Sequence, residues 1–304
     1  MNPKATPRGE VFVERRAPGR PHQGKVLAAI QPHSDDMPIY SAGTIAKLIA
    51  EGYTAYLIQV TNDEKCGPTH SFGETILANE HDVEALAKVM GFKQTLYLGY
   101  RNHLMDEAPA VEIRARMIFL IRALKIDTVF TFNPWGHGEE NPDHWITAQA
   151  VEAACWMAGN PKDYPEHLAA GVMPYSVREK YYWTARPGQP YNRVVDISDY
   201  IEQRIDANRV NQAQGPAGSL GSRLRARLAA EGLHLPELGN DDDTADREYI
   251  RLFCCTAARE LGQQYGVEYA EPFYYVPPAG SVYGFATGEE VQAYIDTHAK
   301  PLRG

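Results

Sequence analysis

The sequence predicts an α/β fold: a Rossmann-like, doubly wound, mostly parallel sheet with helices on both faces and a C-terminal extension. The first supporting observation is the composition, which is 44% hydrophobic and 23% charged, as in ordinary globular proteins. The second is the order of elements in the first half of the chain, where apolar runs typical of buried strands alternate with amphipathic stretches typical of helices. Such alternation predicts parallel strands joined by right-handed helical crossovers.

The spacing of apolar residues predicts each element of the first half. In chain order these elements are a strand at residues 25–31, a helix at 43–51, a strand at 55–60, a helix at 75–90, a strand at 95–98, a helix at 111–124 and a strand at 126–132. Gly91 follows the second helix as its expected left-handed stop. The usual doubly wound order 3-2-1-4 makes the first and fourth strands neighbours, so a ligand site is expected beyond their carboxyl ends.

The second half of the chain is expected to continue the same domain. It is predicted to contain a helix at 145–158, strands near 180–184 and 194–196, a helix at about 200–213, a helix at 247–264, an extended segment at 273–276 and a last helix near 289–297. Residues 214–245 hold glycines, an arginine-rich patch and an acidic run, which indicate an insertion or lid. The predicted organisation is an N-terminal arm at 1–24, a catalytic core at 25–213, this insertion, and residues 246–304 completing the domain.

Composition and charge exclude several classes of protein. Thirty Lys and Arg residues against 39 Asp and Glu residues give a net charge of −9, which does not suit unaided binding to nucleic acid or anionic lipid. The longest apolar runs are about five residues, whereas a membrane span needs about 20, and the N-terminal region lacks the apolar stretch of a secretory signal. The four cysteines form neither a disulfide framework nor a paired CxxC site. We expect a cytoplasmic protein with no nucleic-acid or membrane partner, and self-association into a homo-oligomer is left open.

Two polar loops follow the first and fourth predicted strands. Residues 32–36 (PHSDD) supply one imidazole and two carboxylates, and residues 133–144 end in a second imidazole after a connection longer than the usual ~2–6 residues. Two His and one Asp suit catalytic Zn²⁺ and also non-haem Fe(II), and the remaining carboxylate is then free to act as a base. The alternative is that the carboxylates cap the next turn and the imidazoles are ordinary loop residues.

These loops resemble the motifs of a known family. Residues 32–36, followed by 42–46 (AGTIA), are similar to the PHPDD…GGTIA signature of the LmbE-like, or PIG-L, zinc-dependent de-N-acetylases. Residues 141–144 (NPDH) are similar to the HPDH motif of that family. Residues 61–64 (TNDE) stand where the family often has a TDGE-like turn, and residues 269–273 (YAEPF) resemble its YAEaF-like C-terminal segment.

The resemblance is good over residues 25–160 and implies a role for each matching residue. His33, Asp36 and His144 would be the metal ligands, and Asp35 would be the general base. The implied activity is removal of an N-acetyl group from an N-acetylglucosamine-like or related glycoside by attack of a zinc-bound water. The expected cofactor is therefore Zn²⁺, with another divalent metal such as Fe²⁺ as the alternative. The expected partner is a small N-acetylated sugar conjugate.

One residue departs from the family pattern. Asn141 stands in place of the first His of HPDH, which in the family is implicated in stabilising the tetrahedral intermediate. An amide donates a hydrogen bond to an oxyanion but cannot donate a proton from a cationic state. His137 or His103 is the expected source of the missing imidazole. Ser34, in place of a family proline, is expected to matter little because it is not a ligand.

Further candidates for substrate binding lie near the same edge of the predicted sheet. Arg101 is a candidate for binding a hydroxyl or carboxylate, and Trp135 is a candidate for stacking on a sugar ring. Asn62 and Asp63 could line the pocket, although their sequence is also ordinary turn chemistry. Glu271 either orients a ligand or faces solvent.

Two other functions stay open at this point. The same three ligands would serve a metal-dependent amidase or acyl hydrolase that acts on a non-sugar substrate. The departure at Asn141 would suit a catalytically impaired metal- and carbohydrate-binding protein. The retained Asp35 argues against the second alternative, because a site that only binds needs no spare carboxylate beside the metal.

Overall fold

The computed structural model describes residues 11–67, 71–215, 217–278, 286 and 288–301. One eight-stranded sheet is built from β1 (Phe12–Glu14), β2 (Val26–Gln31), β3 (Thr54–Thr61), β4 (Gln94–Tyr100), β5 (Thr128–Phe132), β6 (Glu179–Trp183), β7 (Arg193–Asp196) and β8 (Ala270–Val276). Their order across the sheet is β1-β7-β8-β6-β5-β2-β3-β4. Within it β8 runs antiparallel to β6 and β7, and the other neighbours are parallel. The stretch β4-β3-β2-β5 confirms the predicted order 3-2-1-4.

Helices cover both faces of the sheet in the described part of the chain. They are α1 (Asp36–Ala50), α2 (Phe72–Met90), α3 (Ala110–Leu124), α4 (Pro142–Met157), α5 (Glu166–Ala169), α6 (Ile201–Arg209), α7 (Leu220–Ala230), α8 (Asp242–Tyr249), α9 (Thr256–Gln264) and α10 (Gly288–His298). One hydrophobic core includes side chains of α1, α2 and α6, and a second includes side chains of α3 and α4. Along β2, Leu27 and Ala29 belong to the first core, whereas Ala28 and Ile30 belong to the second. Because both faces are buried, the central strands carry continuous apolar runs, as the sequence indicated.

Several helices begin earlier than the sequence indicated, and in α1 and α4 the shift places site residues within the helix. α1 begins at Asp36 and not at residue 43, because Pro38 in the first turn needs no backbone donor. Gly43 therefore lies inside α1, where a Cβ would stand 2.8 Å from the side chain of Ile197. α4 begins at Pro142, a favoured first helical residue, and not at residue 145.

The helix predicted at about 200–213 ends at Arg209. Beyond this end, the backbone N–H groups of Gln212 and Ala213 each donate a 2.6 Å hydrogen bond to the carboxylate of Asp82 in α2. These two N–H groups thus donate to a carboxylate and not to the carbonyls of the preceding helical turn, so the helix does not continue. Sequence periodicity does not register a partner of this kind because it lies on another helix.

The helix predicted at 247–264 is divided into three parts. These are the end of α8, a π-helical stretch at Ile250–Cys254, and α9. The Cys255 N–H donates to the Ile250 carbonyl at 3.0 Å, which is the wider i to i+5 bond of a π turn. The extended segment and the last helix confirm their predictions as β8 and α10.

The predicted N-terminal arm contributes the edge strand of the sheet. β1 pairs in parallel with β7, and Glu14 joins it to the core through contacts with Lys47 at 2.8 Å and Arg193 at 2.6 Å. The predicted insertion at 214–245 contains α7, and its action as a lid stays a prediction, as does the proposed division of the chain. None of the helices in the described ranges has the length and apolar character needed to cross a membrane.

Candidate metal centre and catalytic residues

The candidate site lies where two neighbouring strands end. β2 pairs in parallel with β5, so their carboxyl ends stand side by side. His33 follows β2, Asp36 is the first residue of α1, and His144 lies in the first turn of α4. One potential ligand atom from each of these three buried residues lies within 4.8 Å of the other two. The fold thus brings together the three residues predicted as metal ligands.

The atoms that face one another suit a divalent metal ion. His33 Nδ1 lies 3.0 Å from His144 Nε2 and 3.5 Å from Asp36 Oδ2, and His144 Nε2 lies 3.5 Å from Asp36 Oδ1. Ligand atoms that share one Zn²⁺ at ~2.0–2.1 Å are roughly 3–3.5 Å apart, so this spacing needs little adjustment. The same donor set is acceptable to Fe(II). The residues therefore fit a metal, and the identity of that metal stays a prediction.

The second ring nitrogen of His33 faces a carboxylate that the sequence analysis did not select. His33 Nε2 lies 3.0 Å from Asp143 Oδ2, and the same oxygen accepts a 2.6 Å hydrogen bond from the backbone N–H of His103. Asp143 Oδ1 accepts a 3.3 Å hydrogen bond from the Met105 N–H. Burial raises the pKa of Asp143, but the hydrogen bonds with His33 and with the N–H groups of His103 and Met105 hold it below its usual value. An ionised carboxylate at this position favours a proton on Nε2, which would leave Nδ1 free for the predicted metal.

His144 has a similar neighbour in Glu139. Glu139 Oε1 lies 3.0 Å from His144 Nδ1, and Arg186 Nη2 lies 2.9 Å from the same oxygen. Burial raises the pKa of Glu139, but His144 and Arg186 outweigh it and lower that pKa overall. Glu139 and Asp143 both lie within five positions of His144 in the sequence. A search for carboxylates close to a candidate metal ligand could therefore have selected them.

Asp35, the residue predicted as the general base, lies beside the predicted metal ligands. It immediately precedes α1, its side chain makes no capping hydrogen bond, and it is partly exposed next to the ligand Asp36. Burial and the Asp36 carboxylate raise the pKa of Asp35 to about 7, while His33 opposes this shift. A general base is most effective when its pKa is near the working pH. The capping alternative is not supported for this carboxylate.

Comparison with known proteins identifies the family. The family model described as PIG-L, GlcNAc-PI de-N-acetylase, matches residues 28–155. The curated diacetylchitobiose deacetylase of Thermococcus kodakarensis is 30% identical over 197 residues, which cover 63% of this chain and 71% of that protein. The chain belongs to the PIG-L family.

Two further comparisons agree with this assignment to the PIG-L family. The 1D-myo-inositol 2-acetamido-2-deoxy-alpha-D-glucopyranoside deacetylase of Rhodococcus erythropolis is 28% identical over 207 residues, covering 59% of this chain and 67% of that protein. The solved structure of N,N'-diacetylchitobiose deacetylase from Pyrococcus horikoshii, complexed with its inhibitor MPG, matches with a TM-score of 0.66 at 25% identity and covers 88% of both chains. The resemblance of the two motif loops and the mixed α/β fold are both confirmed.

Asn141, the departure from the PIG-L motif, caps α4. Its Oδ1 accepts a 3.0 Å hydrogen bond from the Asp143 N–H, so the side chain starts the helix that carries His144. The oxygen is thereby engaged, and the Nδ2 group is the donor available for an oxyanion. The structure thus gives Asn141 a capping role that is compatible with its predicted catalytic role.

The two imidazoles predicted to replace the missing His lie in different surroundings. The ring centroid of His103 is 6.0 Å from that of His33, and His103 forms a second group of potential ligands with His33 and Asp143. Burial lowers the pKa of His103 and His33 lowers it further, against the effect of Asp143, which favours a neutral ring. His137 is exposed, and its side chain makes no contact with the metal ligands among the described residues. His103 is the better placed of the two, and both roles stay predictions.

Three predicted substrate residues form hydrogen bonds or ion pairs within the protein. Arg101 Nη2 lies 2.8 Å from Glu64 Oε1, although the Arg101 side chain is 60% exposed, and Asn62 Nδ2 donates to Glu64 at 3.1 Å. Asp63 is buried and accepts a 3.0 Å hydrogen bond from the Ser34 N–H, directly after His33. Arg101 therefore remains accessible to a substrate, whereas Asp63 supports the loop that carries the predicted metal ligand His33. The fourth, Trp135, is exposed on an aromatic cluster with Tyr182 and Tyr274, and its stacking on a sugar stays a prediction.

Ser34 is not a predicted metal ligand, but it forms hydrogen bonds that hold the loop after β2. Its hydroxyl donates to Asn79 Oδ1 at 3.0 Å and accepts from Gln214 Nε2 at 2.7 Å. Asn79 lies in α2, and Gln214 lies at the start of the predicted insertion. The family proline could make neither bond, so the expectation that this substitution matters little is wrong for the packing of the metal-site loop.

Glu271 does not face solvent, and its contacts are with α1 and Arg204. It is buried, its carboxylate accepts hydrogen bonds from the N–H groups of Gly43 at 3.1 Å and Thr44 at 2.8 Å, and it forms an ion pair with Arg204. Glu271 thus fixes the middle of α1, whose first turn carries Asp36. It acts on the site through the helix and not through a ligand.

Proposed function

We propose that this protein is a metal-dependent deacetylase of N-acetylated sugars, with an N-acetylglucosamine-like unit as the acylated group. The observation that carries this proposal is the meeting of His33, Asp36 and His144 beside Asp35, a carboxylate left free of a capping bond. The deacetylases of diacetylchitobiose and of a GlcNAc-inositol among its relatives support the same substrate class.

Zn²⁺ is the proposed cofactor, and when bound it supplies a lowered pKa for water, near ~7, and polarisation of the acetamide carbonyl. His33 would hold it through Nδ1, His144 through Nε2, and Asp36 through its carboxylate. Asp143 would hold the other ring nitrogen of His33 and so fix the orientation of that imidazole, and Glu139 lies 3.0 Å from the other ring nitrogen of His144.

The remaining steps are assigned to side chains of this chain. Asp35 accepts a proton from the attacking water and passes it to the departing amine; its partly exposed position next to Asp36, free of a capping hydrogen bond, supports this role. Asn141, through Nδ2, and His103 donate hydrogen bonds to the carbonyl oxygen of the acetamide, which becomes negatively charged when water attacks the carbonyl carbon. The bond that breaks is the amide C–N bond, and the products are acetate and the free amine.

Acetate release provides the test. The protein loaded with Zn²⁺ is expected to release acetate from N-acetylglucosamine or N,N'-diacetylchitobiose, to lose this activity in a chelator and to recover it with added Zn²⁺. Asp35→Asn is expected to lower kcat by ~10²-fold or more while the metal content stays unchanged. Asp199→Asn, at a 68% exposed side chain in the turn after β7, is the control and should change neither quantity.

Two outcomes would replace this proposal. Acetate release from simple amides but not from the sugars would favour a non-sugar amidase. Binding of metal and sugar without release of acetate from any substrate would favour a catalytically impaired binding protein.

A further inference from the structure

An open groove of about 420 Å³ lies between α7 and the π-helical stretch that follows α8. It is lined by Leu220, Arg223, Leu224, Arg227, Tyr249 and Phe253. Leu220 and Leu224, four positions apart on α7, form one apolar row. Tyr249 and Phe253 form a second row, with ring centroids 5.0 Å apart, and Phe253 is 49% exposed. The groove is thus an apolar surface open to solvent, and none of the steps assigned above uses it.

The charged residues of this groove are both arginines. Arg223 and Arg227 lie four positions apart on α7, and both are exposed. Neither guanidinium pairs with a carboxylate among the residues that the structure describes, whereas Arg225 on the same helix pairs with Asp242. These two cations lie side by side in a chain whose net charge is −9. The groove therefore favours a partner surface that is apolar and also carries negative charge.

The C-terminal helix α10 presents such a surface. No residue of α10 is buried, and Val291, Tyr294 and Ile295 are 47%, 65% and 45% exposed. Their spacing of i, i+3 and i+4 places these side chains on one face of the helix. His298 extends this face by stacking on Tyr294, with ring centroids 4.0 Å apart. A helix with an apolar face of this kind is suited to binding in a groove between two helical segments.

The charge and the length of α10 also match the groove. Residues 288–298 contain three acidic residues and no Lys or Arg, so α10 is negatively charged. Val291 and His298 are seven positions apart, which corresponds to about 10 Å along a helix. Leu220 and Arg227 are also seven positions apart on α7. The apolar face of α10 and the lining contributed by α7 therefore have the same length.

An exposed helix of this length needs a partner. α10 has 11 residues, and isolated helices shorter than ~12–15 residues are only marginally stable in water. Within its own chain the apolar face of α10 is open to solvent, whereas a second copy of the chain offers a groove of the right charge and length. In a two-fold pair each chain gives its helix and receives that of the other, so the same contact forms twice.

We infer that α10 of one copy of this chain binds in the groove between α7 and the π-helical stretch of a second copy, so that the protein forms a dimer by exchanging its C-terminal helices. The apolar face that includes Tyr294 packs against Phe253, and Arg223 and Arg227 attract the acidic helix. This inference concerns assembly and does not depend on the proposed catalytic activity.

One substitution on each side of the contact tests this inference. Tyr294→Lys adds a positive charge to the helix face that meets the two arginines, and Phe253→Glu adds a negative charge to the groove that receives the acidic helix. Sedimentation equilibrium should show a dimer of the unmodified protein at micromolar concentration, and each variant should raise its dissociation constant by about 100-fold or more. Leu77→Glu, at a 66% exposed position of α2, is the matched control and should leave that constant unchanged. Circular dichroism establishes that all three variants are folded.

Mixing the two variants separates exchange between copies from binding within one chain. The Tyr294→Lys variant keeps an intact groove, and the Phe253→Glu variant keeps an intact α10. An equimolar mixture should therefore form heterodimers, in which one contact is unmodified and the other brings the two introduced charges of opposite sign together. A mixture that stays monomeric would overturn the inference, because binding of α10 within its own chain gains nothing from mixing. A monomeric unmodified protein, or self-association that neither variant weakens, would overturn it as well.

Discussion

Asp143→Asn is the substitution that most directly tests how the metal centre is held. Asp143 uses one carboxylate oxygen to face His33 Nε2 and the His103 N–H, and the other to accept from the Met105 N–H. An amide of the same shape offers only one acceptor oxygen. If the amide nitrogen faces Met105, it meets the Met105 N–H, and two donors oppose each other. If the amide nitrogen faces His33, it donates to Nε2, and the ring proton moves to Nδ1, the nitrogen that should bind the metal.

The size of the effect follows from these contacts. Either orientation loses a hydrogen bond to a charged group, each worth ~1.5–3 kcal/mol. Loss of the outer partner of a ligating His typically weakens metal binding by ~10–100-fold, which corresponds to about 1.4–2.7 kcal/mol. The two ranges agree, so the dissociation constant for Zn²⁺ should rise by about one to two orders of magnitude.

Competition with a chromophoric chelator at neutral pH measures this constant independently of catalysis. Asp106→Asn, at a nearby exposed position, is the control and should bind Zn²⁺ like the unmodified protein. Circular dichroism establishes that both variants are folded. Unchanged Zn²⁺ affinity in folded Asp143→Asn would refute the argument that Asp143 sets the protonation of His33.

The remaining predictions concern the oxyanion, the support of α1 and the response to acid. His103→Ala should lower kcat by ~10²-fold with metal content unchanged, whereas His137→Ala should have little effect; full activity in His103→Ala would exclude a contribution from that ring. Glu271→Gln leaves the buried Arg204 without its charge partner and should lower the free energy of unfolding in urea by about 3 kcal/mol, and a loss below about 1 kcal/mol would contradict this role. Burial raises the pKa of Glu14, but the neighbouring Lys47 and Arg193 lower it overall, to below the ordinary value of 4.5. The ionised Glu14 therefore stabilises the folded protein fully above pH 4.5, and this contribution is lost as the pH falls through the pKa of Glu14 in the folded state. In Glu14→Gln the urea midpoint of unfolding should therefore fall less on acidification than in the unmodified protein. An unchanged pH dependence of that midpoint would contradict this role of Glu14.

The sequence by itself determined the central sheet and the position of the site. Parallel strands buried on both faces must be apolar at successive positions, so runs such as residues 26–31 and 128–132 could be recognised without tertiary information. His33 and Asp36 are close along the chain, and the strand order brings His144 to the same edge. The helix starts were less certain, because Pro38 and Pro142 are compatible with a first turn as well as with a loop.

Only the tertiary structure decided which partners hold these residues in place. The carboxylate that orients His33 lies 110 positions away in the chain, and the ion pair that fixes α1 joins Arg204 to Glu271 across 67 positions. Hydrophobic periodicity reports which face of an element is buried, but it does not report which polar group meets which across the core. Each buried charge or donor must find a partner, and that partner depends on how distant elements pack together. For this reason the pairing of Asp143 with His33 and the role of Ser34 became apparent only once the loops after β2 and β5 and the segment after α6 had been placed side by side.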